Sequence, residues 1–254
     1  MKKAGIALVL SLLVLCGTAA ANTLSLKIGY FFPKAEGGPD SLWTIEFDQM
    51  SFQKSDYAQS TLGFAYDYFL TRELSFEISL DTYNKNKSGF YVDYVGYEFT
   101  EGDFAFPAEL YQGAFSVAHT LNLSITPVQF SIKIAPLGRR NKIVPYLGAG
   151  GGIYFWTVYL RGDIVDFSDE YFYEDEDLGD VPVYPIYPAQ LREERTAFGY
   201  HGFAGFKVPV AHRITVDVQF RYNSVKGNFK EAFLGFEKFD LGGYTISAGI
   251  NYWF

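Results

Sequence analysis

Apolar and polar residues alternate with a period of two over much of this 254-residue chain. The closing segment is the clearest: Tyr244, Ile246, Ala248, Ile250, Tyr252 and Phe254 alternate with Thr245, Ser247, Gly249 and Asn251. Successive side chains of a strand point to opposite faces, so this segment has one apolar face and one face of small, polar groups. Leu24, Leu26, Ile28, Tyr30 and Phe32 give a first strand of the same kind. Leu62, Phe64, Tyr66, Tyr68 and Leu70 give a second, and Leu74, Phe76, Ile78 and Leu80 a third. Only Thr71-Arg72-Glu73 separates those two, which predicts a tight hairpin. Val128, Phe130, Ile132 and Ile134 mark a fourth strand that starts near His119. Leu121, Leu123 and Ile125 have the opposite parity, so the pattern predicts a bulge near Pro127. A Gly-rich fifth strand runs from about Ile143 to Tyr159 and a sixth from about Phe198 to Val208. In the seventh, Ile214, Val216, Val218, Phe220 and Tyr222 alternate with Arg213, Thr215, Asp217, Gln219 and Arg221.

Connections alternate short and long. The short ones lie around Thr71, Arg139 (in Gly138-Arg139-Arg140-Asn141) and Val210; the long ones cover about 33–56, 84–118, 160–196 and 223–238. Strands of this length, with one face apolar throughout, suit a tilted crossing of a bilayer. The pattern therefore predicts an all-β fold: a transmembrane antiparallel up-and-down β-barrel of eight strands, with long extracellular loops, short periplasmic turns and both termini on the short-turn side.

Composition agrees. The chain has 25 Phe, 20 Tyr, 3 Trp and 25 Gly, unusual for a soluble enzyme of this size. Mean hydropathy is near zero, because lipid-facing residues alternate with polar ones and the loops are charged. Lys2 and Lys3 precede an apolar run from Ile6 to Leu15, and Ala19-Ala20-Ala21 offers a small-residue cleavage site. Residues 1–21 read as a removed secretory signal peptide, leaving 22–254 as a single barrel domain. Cys16 leaves with the signal, so the mature chain gains nothing from disulfides and needs another source of closure. The formal charge of −8 falls by two to −10 when Lys2 and Lys3 leave, and so acidic a chain is a poor candidate for binding nucleic acid, so none is expected as a partner.

The ending resembles the carboxy-terminal strand of Gram-negative outer-membrane β-barrels. There a terminal Phe, with apolar or aromatic residues two and four positions earlier, marks the chain for the barrel-assembly machinery; Phe254, Tyr252 and Ile250 occupy those positions. Over the mature chain, the strand pattern resembles the small eight-stranded barrels of the OmpW and OmpA transmembrane-domain kind. The resemblance implies an integral protein of the bacterial outer membrane, exported through the inner membrane and surrounded by outer-membrane lipid and lipopolysaccharide. An OmpW-like role would be structural, or would pass small hydrophobic solutes from the loops towards the membrane. The alternative is an adhesin-like surface barrel that binds a partner or lipopolysaccharide through its long loops, and an enzyme acting on lipid A is a third class.

Several constellations invite chemistry. Lys27, Asp67, Glu77, Lys133, Lys207, Asp217 and Arg221 all fall on inward faces. Eight strands enclose a space that side chains fill, so the mixed signs predict an ion-pair network, a packed polar lumen rather than an open pore. Gly148, Gly150 and Gly152 would leave room for Tyr154, Trp156 or Arg221; with Ile153 after them and no helix following, the run is no phosphate loop. Of the histidines His119, His201 and His212, none sits in the His-x-Ser pair that resemblance to the lipid A deacylases would call for, since His119 is followed by Thr120 and Leu121. No catalytic residue and no cofactor are expected. Asp163, Asp166, Asp169, Glu170, Glu174, Asp175, Glu176, Asp177 and Asp180 form an acidic loop that could attract divalent cations, although its spacing is not that of an EF-hand. Tyr30, Phe31 and Phe32, Tyr91, Tyr94 and Tyr97, Tyr154, Phe155, Trp156 and Tyr159, and Tyr252 to Phe254 read mostly as interfacial girdle. Their alternative role is to line an apolar pocket under the loops.

Overall fold

A computed structural model describes residues 22–138 and 141–254. The signal segment, with Cys16, and Arg139 and Arg140 of the expected turn lie outside the described residues. In chain order the elements begin with β1 (Thr23–Pro33), helix α1 (Leu42–Gln49), β2 (Gln59–Phe69) and β3 (Leu74–Phe90). A hairpin of β4 (Tyr94–Phe99) and β5 (Gly102–Pro107) follows, then β6 (Ala118–Ile134) and β7 (Val144–Val165). The chain ends with β8 (Tyr171–Asp175), β9 (Gly179–Ala211), β10 (Ile214–Gly227), β11 (Phe239–Asp240) and β12 (Gly243–Trp253).

Eight of these strands pair antiparallel in the order β1-β2-β3-β6-β7-β9-β10-β12. β12 then returns to β1 in unbroken register from Thr23↔Trp253 to Pro33↔Gly243 and closes the ring. Closure leaves no free strand edge in lipid, where an unpaired amide or carbonyl would cost several kcal/mol, on the order of the unsatisfied-group penalty. The fold is the expected eight-stranded transmembrane barrel. Asn22 and Phe254 meet through paired backbone hydrogen bonds of 3.2 and 3.3 Å at the short-turn end.

The expected bulge at Pro127 does not occur. β6 holds one register against β7 from His119↔Gly162 to Ile134↔Leu147, so Leu121, Leu123 and Ile125 point inward with Gln129, Ser131 and Lys133. The apparent change of parity has another cause. Below a row running through Thr126, Phe155 and Thr196 on β6, β7 and β9, the outer face is apolar: Phe130, Ile132, Leu147, Phe198 and Tyr200 are exposed. Above it the outer face is mostly polar, with Asn84, Asn86, Asn122, Arg161, Arg192 and Glu194, and Leu121, Leu123, Ile125, Trp156 and Val158 make the inner face largely apolar. The strands do not stop at the membrane. They continue into water, where a barrel must turn its apolar side inward.

For the same reason, much of what the pattern marks as loop is sheet. β3 runs on to Phe90, β7 to Val165, and β9 begins at Gly179 rather than near Phe198, so the expected loops 84–118 and 160–196 are mostly strand. The register irregularity that does exist lies between Ile214 and Thr215, where β9 meets β10.

Glycine lets β6 and β7 approach closely. A methyl group on inward Gly150 would run into the Phe130 carbonyl, whereas one on outward Gly151 would meet only the Gly199 carbonyl at 3.5 Å. Gly150→Ala is expected to lower the yield of assembled barrel sharply while Gly151→Ala assembles like the parent. Gel mobility of unheated and heated outer-membrane samples reads this out, and equal yields would contradict the close approach.

Candidate functional site

All seven inward charges predicted from parity are buried on the barrel's inner face. Lys133 Nζ lies 2.6 Å from Asp67 and 2.5 Å from Glu77. Lys207 reaches the other oxygen of Asp67 at 2.8 Å, and Lys27 stands 3.7 Å from Glu77. Arg221 pairs with Glu77 at 2.9 Å and Asp81 at 3.2 Å, also donates to Gln129, and lies over the Phe203 ring with its guanidinium carbon 5.1 Å from the centroid. Asp217 accepts from the Tyr146 hydroxyl at 2.6 Å. With Asp81 the belt holds four cations against four carboxylates among the described residues, so it is formally neutral. Parity placed the seven on one surface but left out Asp81, Tyr146 and Phe203, whose roles depend on contacts across the lumen. The room beside Gly148 goes to the Phe203 ring, not to Tyr154, Trp156 or Arg221.

Above the belt a thin neutral layer follows. Gln129 donates to the Tyr154 hydroxyl at 2.7 Å and to Asn223 at 2.9 Å, and Ser131 bonds His201 at 2.7 Å. A serine and a histidine in contact are half of a nucleophilic site, and parity gave no hint of this pair. However, among the described residues His201 Nδ1 has no partner, and the imidazole is sealed against Phe203, their ring centroids 6.0 Å apart. No acid among the described residues hydrogen-bonds to this base, and both side chains are buried away from solvent.

Aromatic and aliphatic side chains fill the upper interior. Phe31, Tyr83, Leu121, Leu123, Ile125, Tyr154, Trp156 and Val158 meet Trp43, Tyr57, Phe229 and Phe239 from the loops. Phe31, Tyr91, Tyr154 and Trp156 are therefore core, a correction to the girdle expectation, while Tyr30, Phe32, Phe155 and Tyr252 do face outward. Helix α1 lies across the mouth: Trp43 stacks on Phe239 with centroids 4.8 Å apart and donates to the Asp240 carbonyl at 2.8 Å. Glu46 of the same helix bonds His119 at 2.8 Å, which gives that histidine a structural partner. His212 is an exposed turn residue. Two voids inside the barrel measure about 20 and about 30 Å³, each room for roughly one water molecule.

The extracellular strands build a separate body. β5 pairs with β9 over Asp103↔Ile186 to Ala105↔Tyr184, and β8 pairs with β9 over Tyr171↔Val183 to Asp175↔Gly179. The rings of Tyr97, Phe99, Phe104, Phe106, Tyr111, Tyr171 and Tyr173 pack where the two hairpins meet, with Phe106–Tyr173 at 5.3 Å and Phe104–Tyr171 at 5.5 Å. The nine carboxylates of the acidic loop lie along this structure and do not converge. Asp166 accepts from the Ser168 amide and hydroxyl. Asp175 accepts from the amides of Asp177 and Leu178 and the Tyr111 hydroxyl, and these bonds hold its carboxyl below the usual carboxylate range. Among the described residues, no three acidic, His or Cys side chains are grouped to hold a metal.

Glu193 clasps the β10–β12 loop to β9. Burial pushes its carboxyl up. The Lys230 amide at 2.6 Å, Arg195 at 3.0 Å, and the Phe233 and Glu231 amides at 3.3 and 3.4 Å outweigh that and hold it below the usual range.

No protein-family model matches this chain, and no curated protein sequence does. Among solved structures it is similar to OprG from Pseudomonas aeruginosa, at 12% identity over 93% of this chain and 96% of that one, with a TM-score of 0.49. It is similar to Neisserial surface protein A, at 12% identity over 92% and 97% with a TM-score of 0.43. It is also similar to Escherichia coli outer membrane protein W, at 13% identity over 93% and 100% with a TM-score of 0.38.

Removing one member of the belt strands its partners. Asp67→Asn is expected to destabilise the barrel by about 3–5 kcal/mol in denaturant titrations in lipid vesicles, because Lys133 and Lys207 lose their shared carboxylate. A loss below about 1 kcal/mol would indicate a solvated lumen. For Glu193 the sign follows from its lowered pKa. The clasp is complete above about pH 4.3, where an unfolded Glu ionises, and is lost as pH falls through the lower folded value. Hydrogen exchange of amides 228–236 should lose protection over that acidic range, and Glu193→Gln should be less protected and insensitive to it. The strand pairing and the sign reversal at the rim establish the architecture on their own terms: the chain is a small eight-stranded transmembrane β-barrel whose strands extend beyond the membrane.

Proposed function

We propose that this chain is a bacterial outer-membrane protein whose barrel is an anchor and whose work is done at the cell surface. The observation that carries the reading is the contrast between its two ends. Buried side chains cluster between the ionic belt and the loops, while the strands above the membrane are built into an ordered aromatic sheet. A carrier of small hydrophobic solutes would need an apolar pocket above the belt, and Leu121, Leu123, Ile125 and Trp156 occupy that space. The reading assigns no catalysis and no cofactor. Export with removal of residues 1–21, insertion through recognition of Ile250, Tyr252 and Phe254, and contact with lipopolysaccharide belong to the same proposal.

Its test has two arms. Reconstituted in planar bilayers, the protein is expected to show no steady ion conductance and no acceleration of hydrophobic solute entry. Replacing residues 168–182 by a short Gly-Ser turn should leave the barrel assembled and abolish binding of expressing cells to the surfaces or proteins they otherwise attach to. Steady conductance, or attachment unchanged by the deletion, would overturn the surface-interaction reading.

A further inference from the structure

The charge of this protein is segregated. Fourteen of its 29 carboxylates lie between Asp93 and Glu109 or between Asp163 and Asp180. No Lys or Arg occurs from residue 88 to 132, or from 162 to 191. The rest of the chain has 21 Lys and Arg against 15 carboxylates, so the excess negative charge belongs to the extracellular hairpins.

On the β8–β9 hairpin this charge meets exposed apolar surface. Tyr171 and Tyr173 turn towards the β4–β5 rings, so Phe172, one residue out of phase, points to the opposite face and is 65% exposed. Phe172 pairs across the hairpin with Pro182, and the next pair on the same face is Glu174 opposite Asp180. Both carboxylates are exposed. Like charges directly opposite one another destabilise a sheet. Among the described residues no Lys or Arg pairs with Glu174 or Asp180, which leaves both carboxylates open to a cation from outside.

The charge also decides among occupants. A second copy would bring the same fourteen carboxylates, and an anionic lipid surface or a nucleic acid would be repelled. A guanidinium fits: its plane stacks on an aromatic ring while its fork of N–H donors satisfies carboxylates, a combination that an ammonium group matches poorly. Building on the surface-interaction reading, we propose that the Phe172–Pro182–Glu174–Asp180 face docks an arginine-bearing basic polypeptide segment.

The test uses the full chain in phosphatidylcholine nanodiscs at about 0.15 M salt, where distant charges are screened. Binding is measured for oligo-arginine and oligo-lysine peptides of equal length, with EDTA present to remove bridging cations. Oligo-arginine should bind more tightly. Phe172→Ala should weaken it by about fivefold, and Glu174→Gln with Asp180→Asn by about tenfold. Glu98→Gln with Asp103→Asn removes the same charge from the cross-strand pair on the other hairpin and should change binding by less than about twofold. Equal effects of the two double substitutions with none from Phe172→Ala would reduce the attraction to generic polyelectrolyte binding and overturn the proposal. So would absence of peptide binding. If attachment of cells still depends on residues 168–182 in that case, the surface-interaction reading stands and only the cationic partner falls.

Discussion

A backbone amide or carbonyl in hydrocarbon has no water to turn to, and this constraint orders the rest of the molecule. It makes β12 return to β1 along eleven paired residues, because any strand left at an edge would expose a row of unpaired groups. Once the ring is closed at eight strands its bore is set, and eight strands enclose an interior about wide enough for side chains to fill. What fills that bore then follows from which residues point inward at each height.

At membrane height they are charged, and they form a belt of equal numbers of cations and carboxylates. Its members come from β1, β2, β3, β6, β9 and β10, with Tyr146 adding β7, so the belt ties nearly the whole ring across its interior. Each charge is expensive to bury, and the attraction between neighbours offsets that only while the set is complete. Small inward residues are as necessary as the charges, since the Phe203 ring on which Arg221 lies occupies the space of the side chain Gly148 lacks. Above the rim the same inner face turns apolar and merges with the undersides of α1 and the β10–β12 loop. The two fillings serve different surroundings: the belt satisfies an inside that the lipid cannot solvate, and the aromatic core supports strands standing in water.

The extracellular hairpins inherit their rigidity from this arrangement. β9 runs without interruption from the membrane to its tip at Gly179, so β8 and β5 pair onto a strand already anchored below. Glu193 fastens the last loop to that strand and Glu46 fastens α1 to His119. A surface built in this way can hold exposed rings and opposed carboxylates in fixed relation without disulfides.

The period-two pattern alone determined a good deal. β1, β10 and β12 could be read residue by residue, because each crosses lipid over most of its length and its apolar side is the outer one. The seven belt charges were legible from the same parity, since lipid excludes them from the other face. Alternation says which residues share a face, but the surroundings decide which face is in. Leu121, Leu123 and Ile125 obey the same alternation as Phe130 and Ile132 with the opposite sense, and only the height of the rim, fixed by neighbouring strands, explains why. The tertiary structure likewise decided that Trp156 and Tyr154 are core, that Glu46 meets His119 and that Ser131 meets His201. It also decided that the acidic loop is a paired hairpin whose carboxylates are spread out. Each of these depends on contacts between residues far apart in the chain, and no local pattern encodes those.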